Sequence, residues 1–160
     1  MQSKFVGTGV AIITPFRKNE IDYDALTNII EHVISGGVEY IVTLGSTGET
    51  AVLDDQESRA ILSHVIEKVK GRIPVVAGNF ASNNTKDLCK KIKAFDFTGV
   101  DAILSSSPAY VKPSQEGIYL HYMEMAEASP IPIILYNVPG RTRSNMEWET
   151  TIRLAEASDK

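Results

Sequence analysis

The stretch YIVTLG at residues 40–45 is a short apolar run, rich in branched side chains and without regular polar alternation. Such a run indicates a strand that is buried on both faces, as in a parallel sheet. Runs of the same character occur at residues 10–14, 74–78, 101–105 and 131–137. Their centres lie about 30 residues apart, which leaves room for one helix between neighbours and predicts right-handed, parallel βα units.

Helix start signals lie between these runs and after the last one. Asp54 and Glu57 form a capping-box pattern ahead of an apolar stripe. The other predicted starts are Asp22, Thr85, Ser114 and Ser144. The helix that Ser144 opens together with Glu147 is predicted to turn Trp148, Ile152 and Ala155 inward. The chain is therefore α/β, with five strand–helix units.

Five units are compatible with two folds. A five-stranded doubly wound sheet fits 160 residues, but it usually has a glycine-rich phosphate turn after its first strand. Here the first strand runs into TPF at residues 14–16, without glycine. A (β/α)8 barrel needs roughly 250 residues. Length and motif therefore favour different folds.

Composition excludes several classes of function. The chain has 16 Lys and Arg against 20 Asp and Glu, a net charge of −4, whereas nucleic-acid binding needs a basic surface. The longest apolar runs, such as residues 10–13, are far too short to cross a membrane. Residues 1–5 lack the apolar core of a signal peptide, and the single Cys89 fits a reducing compartment. We expect a cytoplasmic protein that binds neither nucleic acid nor membrane.

Polar segments follow three of the predicted strands: GSTGET at residues 45–50, SSSPAY at 105–110 and YNVPGRT at 136–142. In parallel α/β folds this end of the sheet carries the active site. The first segment has two hydroxyls between glycines, so its backbone can form an anion nest. No Gly-Lys-Ser/Thr follows, which favours a small carboxylate over a nucleotide. The Tyr136 hydroxyl can donate and recover a proton, and Arg141 suits carboxylate recognition.

These motifs, with GVAIITPF at residues 9–16 and KPSQEGIY at 112–119, resemble the dihydrodipicolinate synthase / N-acetylneuraminate lyase family. The resemblance runs from near Phe5 to Lys160. It implies a (β/α)8 TIM barrel, of which this chain holds about the first five βα units. Residues 1–160 are then expected to be the N-terminal part of a single barrel domain, truncated before the sixth strand. Gly140, Arg141 and Thr142 favour the synthase branch over the sialic acid lyase.

The resemblance implies a pyruvate-dependent class I aldolase reaction. A lysine forms an imine with pyruvate, and the derived enamine adds to aspartate semialdehyde to give 4-hydroxy-tetrahydrodipicolinate, in lysine and diaminopimelate biosynthesis. Imine chemistry needs no metal or organic cofactor. His32, His64 and His121 fall in predicted helices without metal-ligand spacing, so we expect no metal site. A homo-oligomer, dimer or tetramer, is also implied.

The resemblance assigns a role to each candidate residue. Tyr136 is the proton donor and acceptor near the imine. Ser46 takes the position of the relay hydroxyl, where the synthases usually carry threonine. Tyr110 matches the relay tyrosine that reaches into the neighbouring subunit's site. Thr47 is expected to hold the pyruvate carboxylate, and Arg141 the carboxylate of the semialdehyde.

The family's imine-forming lysine ends the sixth strand, after an apolar run. Lys160 follows Ser158 and Asp159 instead, so we do not expect it to be the nucleophile. Two alternatives stay open. The chain is similar enough to the lyase branch to be an N-acetylneuraminate lyase-like or related 2-keto acid aldolase. It is a non-catalytic half-barrel binding protein if the chain ends at residue 160.

Overall fold

The computed structural model describes residues 4–160. These residues form two compact units. The first runs to Asn79 and also includes Thr98–Asp101, and the second comprises Phe80–Phe97 and Ala102–Lys160.

The first unit is built on three parallel strands in the order β1-β4-β5. Val42 pairs with Ala11 on one side and with Val76 on the other. A short antiparallel hairpin, β2 with β3, was not predicted, because its strands have only two residues each. The elements are β1 (Gly9–Ala11), β2 (Phe16–Arg17), β3 (Glu20–Ile21), α1 (Tyr23–Ser35), β4 (Tyr40–Thr43), α2 (Asp55–Val69) and β5 (Val75–Ala77).

The starts of α1 and α2 agree with the predictions. Asp22 Oδ1 accepts a hydrogen bond from the N–H of Ala25 at 2.9 Å. Asp54 Oδ1 accepts from the N–H of Glu57 at 2.7 Å, and Glu57 Oε2 accepts from the N–H of Asp54 at 2.9 Å. The capping box predicted from the sequence is therefore confirmed, and it satisfies two backbone donors that the helix itself leaves free.

The second unit is built on two parallel strands, β6 and β7, with Ile103 opposite Ile133 and Ser106 opposite Tyr136. Helices α3 and α4 pack together, as do α4 and α6. The elements are α3 (Thr85–Ala94), β6 (Ala102–Ser106), α4 (Gln115–Ala128), β7 (Ile133–Tyr136), α5 (Pro139–Thr142) and α6 (Trp148–Ala157). None of the helices within residues 4–160 is long and apolar enough to span a membrane.

The predicted start and inward face of the last helix are wrong. Glu147, not Ser144, precedes α6 as its N-cap, and Trp148 and Ile152 are 67% and 47% exposed. The buried residues of α6 are Thr150 and Leu154. The side chain of Gln115 on α4 causes this rotation, because its Oε1 accepts both from the Glu147 N–H at 3.0 Å and from the Thr150 hydroxyl at 2.7 Å.

The start of α3 is off by one residue. Asn84 is the N-cap, and its Oδ1 accepts from the Asp87 N–H at 3.3 Å. The Thr85 hydroxyl instead lies 2.8 Å from Nδ1 of His121 on α4. His121 is buried, and its Nε2 has no hydrogen-bond partner among the described residues. Burial lowers the pKa of His121 below the ordinary value of 6.5, so folding favours its neutral form.

Acid is expected to weaken the fold through His121. Below about pH 6.5 the unfolded chain takes up a proton that the folded chain refuses, so the free energy of unfolding falls by up to about 1.4 kcal/mol per pH unit from this group. The fall continues down to the folded-state pKa. Denaturant midpoints of wild type and His121→Leu, measured from about pH 7.5 to about pH 5, should show a shallower decline in the variant. His64, whose pKa burial also lowers, is present in both proteins. Identical slopes would contradict the prediction.

Candidate functional site

The segment after β4 forms a tight turn in the first unit. Residues Ser46–Gly48 make one turn of 3-10 helix, in which the N–H of Gly48 donates to the carbonyl of Gly45 at 3.0 Å. Leu44 and Glu49 on either side adopt left-handed backbone, with φ of 59° and 54°. Ser46 and Thr47 are exposed, while their neighbours Gly45 and Gly48 are buried. The turn therefore presents two adjacent hydroxyls at the carboxyl end of a strand.

Three residues outside the predicted set hold this turn in place. The Thr14 hydroxyl donates to the Gly48 carbonyl at 2.8 Å, and the Thr50 hydroxyl donates to the Leu44 carbonyl at 2.6 Å. A Cβ on Gly78 would lie 2.7 Å from the Cα of Gly45. Position 78 thus requires glycine, because the chain after β5 passes directly against the base of the turn. A glycine directly after an apolar strand run was the available signal for this contact.

Tyr136 is the last residue of β7 in the second unit and is half-buried. Asn137 fixes the chain that follows it. Its Oδ1 accepts from the N–H of Met146 at 3.0 Å, and its Nδ2 donates to the carbonyl of the same residue at 3.2 Å. The carboxamide of Asn137 therefore pairs with Met146 as a neighbouring strand would, and it closes the loop that carries Arg141.

Arg141 lies on the short helix α5, which begins at Pro139. The N–H of Arg141 donates to the carbonyl of Val138 at 2.9 Å. Its side chain is exposed and takes part in none of the ion pairs found among residues 4–160. The guanidinium is therefore available for bidentate binding of a carboxylate.

Tyr110 follows β6 and is 85% exposed, with left-handed backbone at φ 70°. Its N–H donates to the carbonyl of Thr142 at 2.9 Å. The preceding N–H, of Ala109, donates to Oδ1 of Asn83 at 2.8 Å. The structure thus brings the Tyr110 segment and the Arg141 turn together within one unit. Sequence reasoning did not identify Asn83, which contacts the segment from 26 residues away.

Lys160 lies beside the opposite end of β7 from Tyr136. The N–H of Ile133, the first residue of β7, donates to the carbonyl of Lys160 at 2.6 Å. The ammonium group of Lys160 donates to the carbonyl of Pro130 at 3.2 Å. Three residues of strand, about 10 Å, separate Ile133 from Tyr136, and the Lys160 side chain points away from that end.

No group of three His, Cys, Asp or Glu side chains in the described part of the chain could hold a metal ion. The predicted site residues are hydroxyl, phenol and guanidinium groups. They supply hydrogen bonds and proton transfer and offer no typical metal ligands.

Comparison with known proteins identifies relatives along nearly the whole chain. The model of the dihydrodipicolinate synthetase family matches residues 4–159. A 4-hydroxy-tetrahydrodipicolinate synthase of Flavobacterium psychrophilum is 51% identical over 95% of this chain and 52% of its own length.

Solved structures agree with this match. Dihydrodipicolinate synthase of Thermotoga maritima has a TM-score of 0.91 at 37% identity, over 96% of this chain and 52% of its own. The Acinetobacter baumannii synthase in complex with pyruvate has a TM-score of 0.90 at 40% identity, over 96% of this chain and 53% of its own.

The chain thus spans about half the length of the relatives it matches. The prediction of a (β/α)8 barrel, with about five of its units in this chain, is confirmed, and the five-stranded doubly wound sheet is wrong. With the family model matching 4–159, the chain belongs to the dihydrodipicolinate synthetase family.

Proposed function

We propose that this chain is part of a 4-hydroxy-tetrahydrodipicolinate synthase, a lyase that condenses pyruvate with aspartate semialdehyde in lysine and diaminopimelate biosynthesis. The observation that carries the proposal is Tyr136, which ends a strand directly before the Arg141 turn, in a chain 51% identical to a synthase of that name. An N-acetylneuraminate lyase-like activity is less well supported, because the relatives with 43–51% identity carry the synthase name.

Each step of the proposed reaction has a candidate group. Thr47 and the neighbouring backbone N–H groups of the turn bind the pyruvate carboxylate. A lysine amine attacks the keto carbon and water leaves, which gives the imine. Loss of a methyl proton converts the imine to an enamine, whose carbon attacks the aldehyde. Tyr136 carries protons at these steps, with Ser46 and Tyr110 as relay. Hydrolysis then frees the lysine, and the product cyclises as its amino group condenses with the regenerated keto carbon and water leaves.

Strand register supports a position for that lysine. In β4, the N–H of Ile41 donates to the carbonyl of Pro74, and Ile41 is paired with the next residue, Val75. The N–H of Ile133 donates to the carbonyl of Lys160 in the same way, so Ile133 would pair with the residue that follows Lys160. A strand continuing in this register would place the fourth residue after Lys160 opposite Tyr136. An apolar cavity of about 370 Å³, lined by residues of β7, α4 and α6, leaves space beside β7 for such a strand. We propose that this fourth residue is the imine-forming lysine.

We further propose that residues 1–160 belong to one barrel domain and that the protein acts in the cytoplasm as a homo-oligomer. Tyr110 motivates the oligomer, because a phenol that is 85% exposed can serve a neighbouring subunit's site. The whole protein, with the strand that supplies the lysine, is called the complete enzyme below. Under this proposal it needs no metal or organic cofactor.

Trapping with borohydride tests the proposed function. The 160-residue chain is expected to give no reduced pyruvyl adduct, because its lysines lie on helices and loops and none of them ends a strand beside Tyr136. The complete enzyme is expected to give one adduct per chain, on the fourth residue after Lys160. Intact mass and peptide mapping measure both results. A stoichiometric adduct on the short chain, or none on the complete enzyme, would refute the assignment.

Arg141→Ala in the complete enzyme is expected to raise KM for the semialdehyde and to spare pyruvate adduct formation. Losing a charge-assisted, bidentate contact costs roughly 2–4 kcal/mol of binding. Steady-state kinetics in both substrates measure the effect. Arg143→Ala is the matched control, since this arginine is also exposed and lies two residues further along. Unchanged semialdehyde kinetics in Arg141→Ala, or preferential cleavage of sialic acid by the wild type, would contradict the assignment.

A further inference from the structure

We infer that Asn83 and Thr142 are positioning residues that set the direction of the Tyr110 phenol, by accepting hydrogen bonds from the two consecutive backbone N–H groups that precede it, those of Ala109 and Tyr110. This inference rests on the proposed function, in which Tyr110 belongs to the proton relay. It adds two residues that do not themselves touch the substrate. The geometry that points to them is a pair of hydrogen bonds from different loops to the segment after β6.

The acceptors of the two hydrogen bonds come from opposite sides of Tyr110 in the sequence, one before it and one after it. Asn83 lies just before α3, and its Oδ1 accepts the Ala109 N–H at 2.8 Å. Thr142 ends α5, and its carbonyl accepts the Tyr110 N–H at 2.9 Å. The Ala109 N–H belongs to the peptide before Ala109 and the Tyr110 N–H to the peptide after it, so the two acceptors hold the two consecutive peptide planes that precede the Tyr110 Cα. The orientation of these planes decides where the Tyr110 side chain leaves the backbone.

The backbone of Tyr110 requires such support. Its φ of 70° is in the left-handed region, which residues with a Cβ rarely occupy. Without both acceptors the segment could relax toward ordinary backbone angles, and the phenol would move. Within its own chain Tyr110 is 85% exposed, so packing there does little to prevent this movement. The Val111 N–H also donates to the Ala109 carbonyl at 2.8 Å and closes a tight turn around Tyr110, and the bonds to Asn83 and Thr142 fix that turn to the rest of the unit.

Thr142 is itself held firmly, which makes its carbonyl a fixed acceptor. Its side chain is 2% exposed. The hydroxyl donates to the Ser144 carbonyl at 2.8 Å and lies 3.3 Å from the Ser144 N–H, from which it accepts. The same turn carries Arg141. The structure thus ties the relay tyrosine to the turn that is proposed to bind the second substrate.

The test uses paired variants of the complete enzyme. Asn83→Ala removes an acceptor, and Asn83→Asp keeps one. Thr142→Val removes the hydroxyl, and Thr142→Ser keeps it. The two removing variants are expected to lower kcat about tenfold with little change in either KM, because misplacing a catalytic group by a fraction of an ångström has effects of this order. The two conservative variants are expected to stay within about twofold of wild type.

Asn84→Ala separates positioning from stability. Asn84 is the neighbour of Asn83 and caps α3, but its side-chain bonds go to Asp87. Its removal is expected to lower thermal stability and leave kcat unchanged. The decisive measurement is a double-mutant cycle with Tyr110→Phe. If Asn83 and Thr142 act through the Tyr110 hydroxyl, then Asn83→Ala and Thr142→Val lower kcat no further in the Tyr110→Phe background. Full additivity, or no loss in the single variants, overturns the inference.

A second readout does not depend on catalysis. Hydrogen exchange at the Ala109 and Tyr110 amides, resolved by mass spectrometry, should be slow in wild type and faster in Asn83→Ala and Thr142→Val. If Tyr110→Phe retains the kcat of wild type, the relay role in the proposed function is wrong, and exchange alone decides the inference. Unchanged protection of both amides in the removing variants then overturns it.

Discussion

Replacing Tyr136 by phenylalanine is expected to lower kcat of the complete enzyme by about 10²–10⁴-fold, the usual contribution of a positioned proton donor. The variant keeps the ring that is half-buried at the end of β7 and loses only the hydroxyl. Imine formation with pyruvate should slow together with turnover, because imine formation needs protons moved between the carbinolamine nitrogen and its leaving oxygen, and turnover also needs a proton removed from the pyruvate methyl group. Borohydride trapping over time measures the first, and steady-state kinetics measure the second.

Tyr119→Phe is the matched control for Tyr136→Phe. Tyr119 lies on α4, where its ring packs against the guanidinium of Arg153 at 3.6 Å. Its hydroxyl has no proposed part in the reaction, so kcat should stay near that of wild type. A Tyr136→Phe enzyme with kcat within about twofold of wild type would assign the proton transfers to another group.

Gly78→Ala is expected to destabilise the first unit and to distort the turn proposed to bind pyruvate. The new Cβ would lie 2.7 Å from Gly45 Cα and 2.8 Å from Gly45 N, and both are backbone atoms that cannot rotate away. Overpacking of this kind typically costs about 1–3 kcal/mol. Chemical denaturation of the 160-residue chain measures the loss, and KM for pyruvate in the complete enzyme measures the distortion of the Ser46–Thr47 turn.

Gly140→Ala provides the stability control, because a Cβ there meets nothing within 4 Å. It should change the free energy of unfolding by less than about 0.5 kcal/mol, as surface substitutions usually do. Equal stability of Gly78→Ala and wild type would show that the chain after β5 can move away from Gly45. The close approach would then not be what fixes the turn.

Local signals predicted the elements well. Within residues 4–160 the apolar runs located β1, β4, β5, β6 and β7, and the Asp54–Glu57 pattern located the start of α2, because caps and buried strands are properties of a few neighbouring residues. The start of α6 failed for the opposite reason. Ser144 and Glu147 have the spacing of a cap, but Gln115 takes the Glu147 N–H from more than 30 residues away.

The candidate site divides in the same way. Ser46, Thr47 and Arg141 could be predicted as candidates from the sequence, because two hydroxyls between glycines and an arginine in a turn are residue types suited to binding a carboxylate. Thr14 and Asn83 were not, because each acts through one contact to a distant loop. Gly78 gave only the signal of a glycine directly after an apolar strand run, which does not say what the glycine contacts. Only the fold brings these residues to the segments they support.

The hydrogen bond from the Ile133 N–H to the Lys160 carbonyl means that the length of the loop between α6 and Lys160 sets the register of whatever follows Lys160 against β7. Side chains of a strand alternate between its two faces, so shifting the strand proposed to follow Lys160 by one residue would turn every side chain over. In the complete enzyme as proposed, inserting or deleting one residue between Ala157 and Lys160 would therefore carry the imine-forming lysine to the other face of the sheet. Across related proteins, substitutions in this loop should be common while changes in its length should be absent.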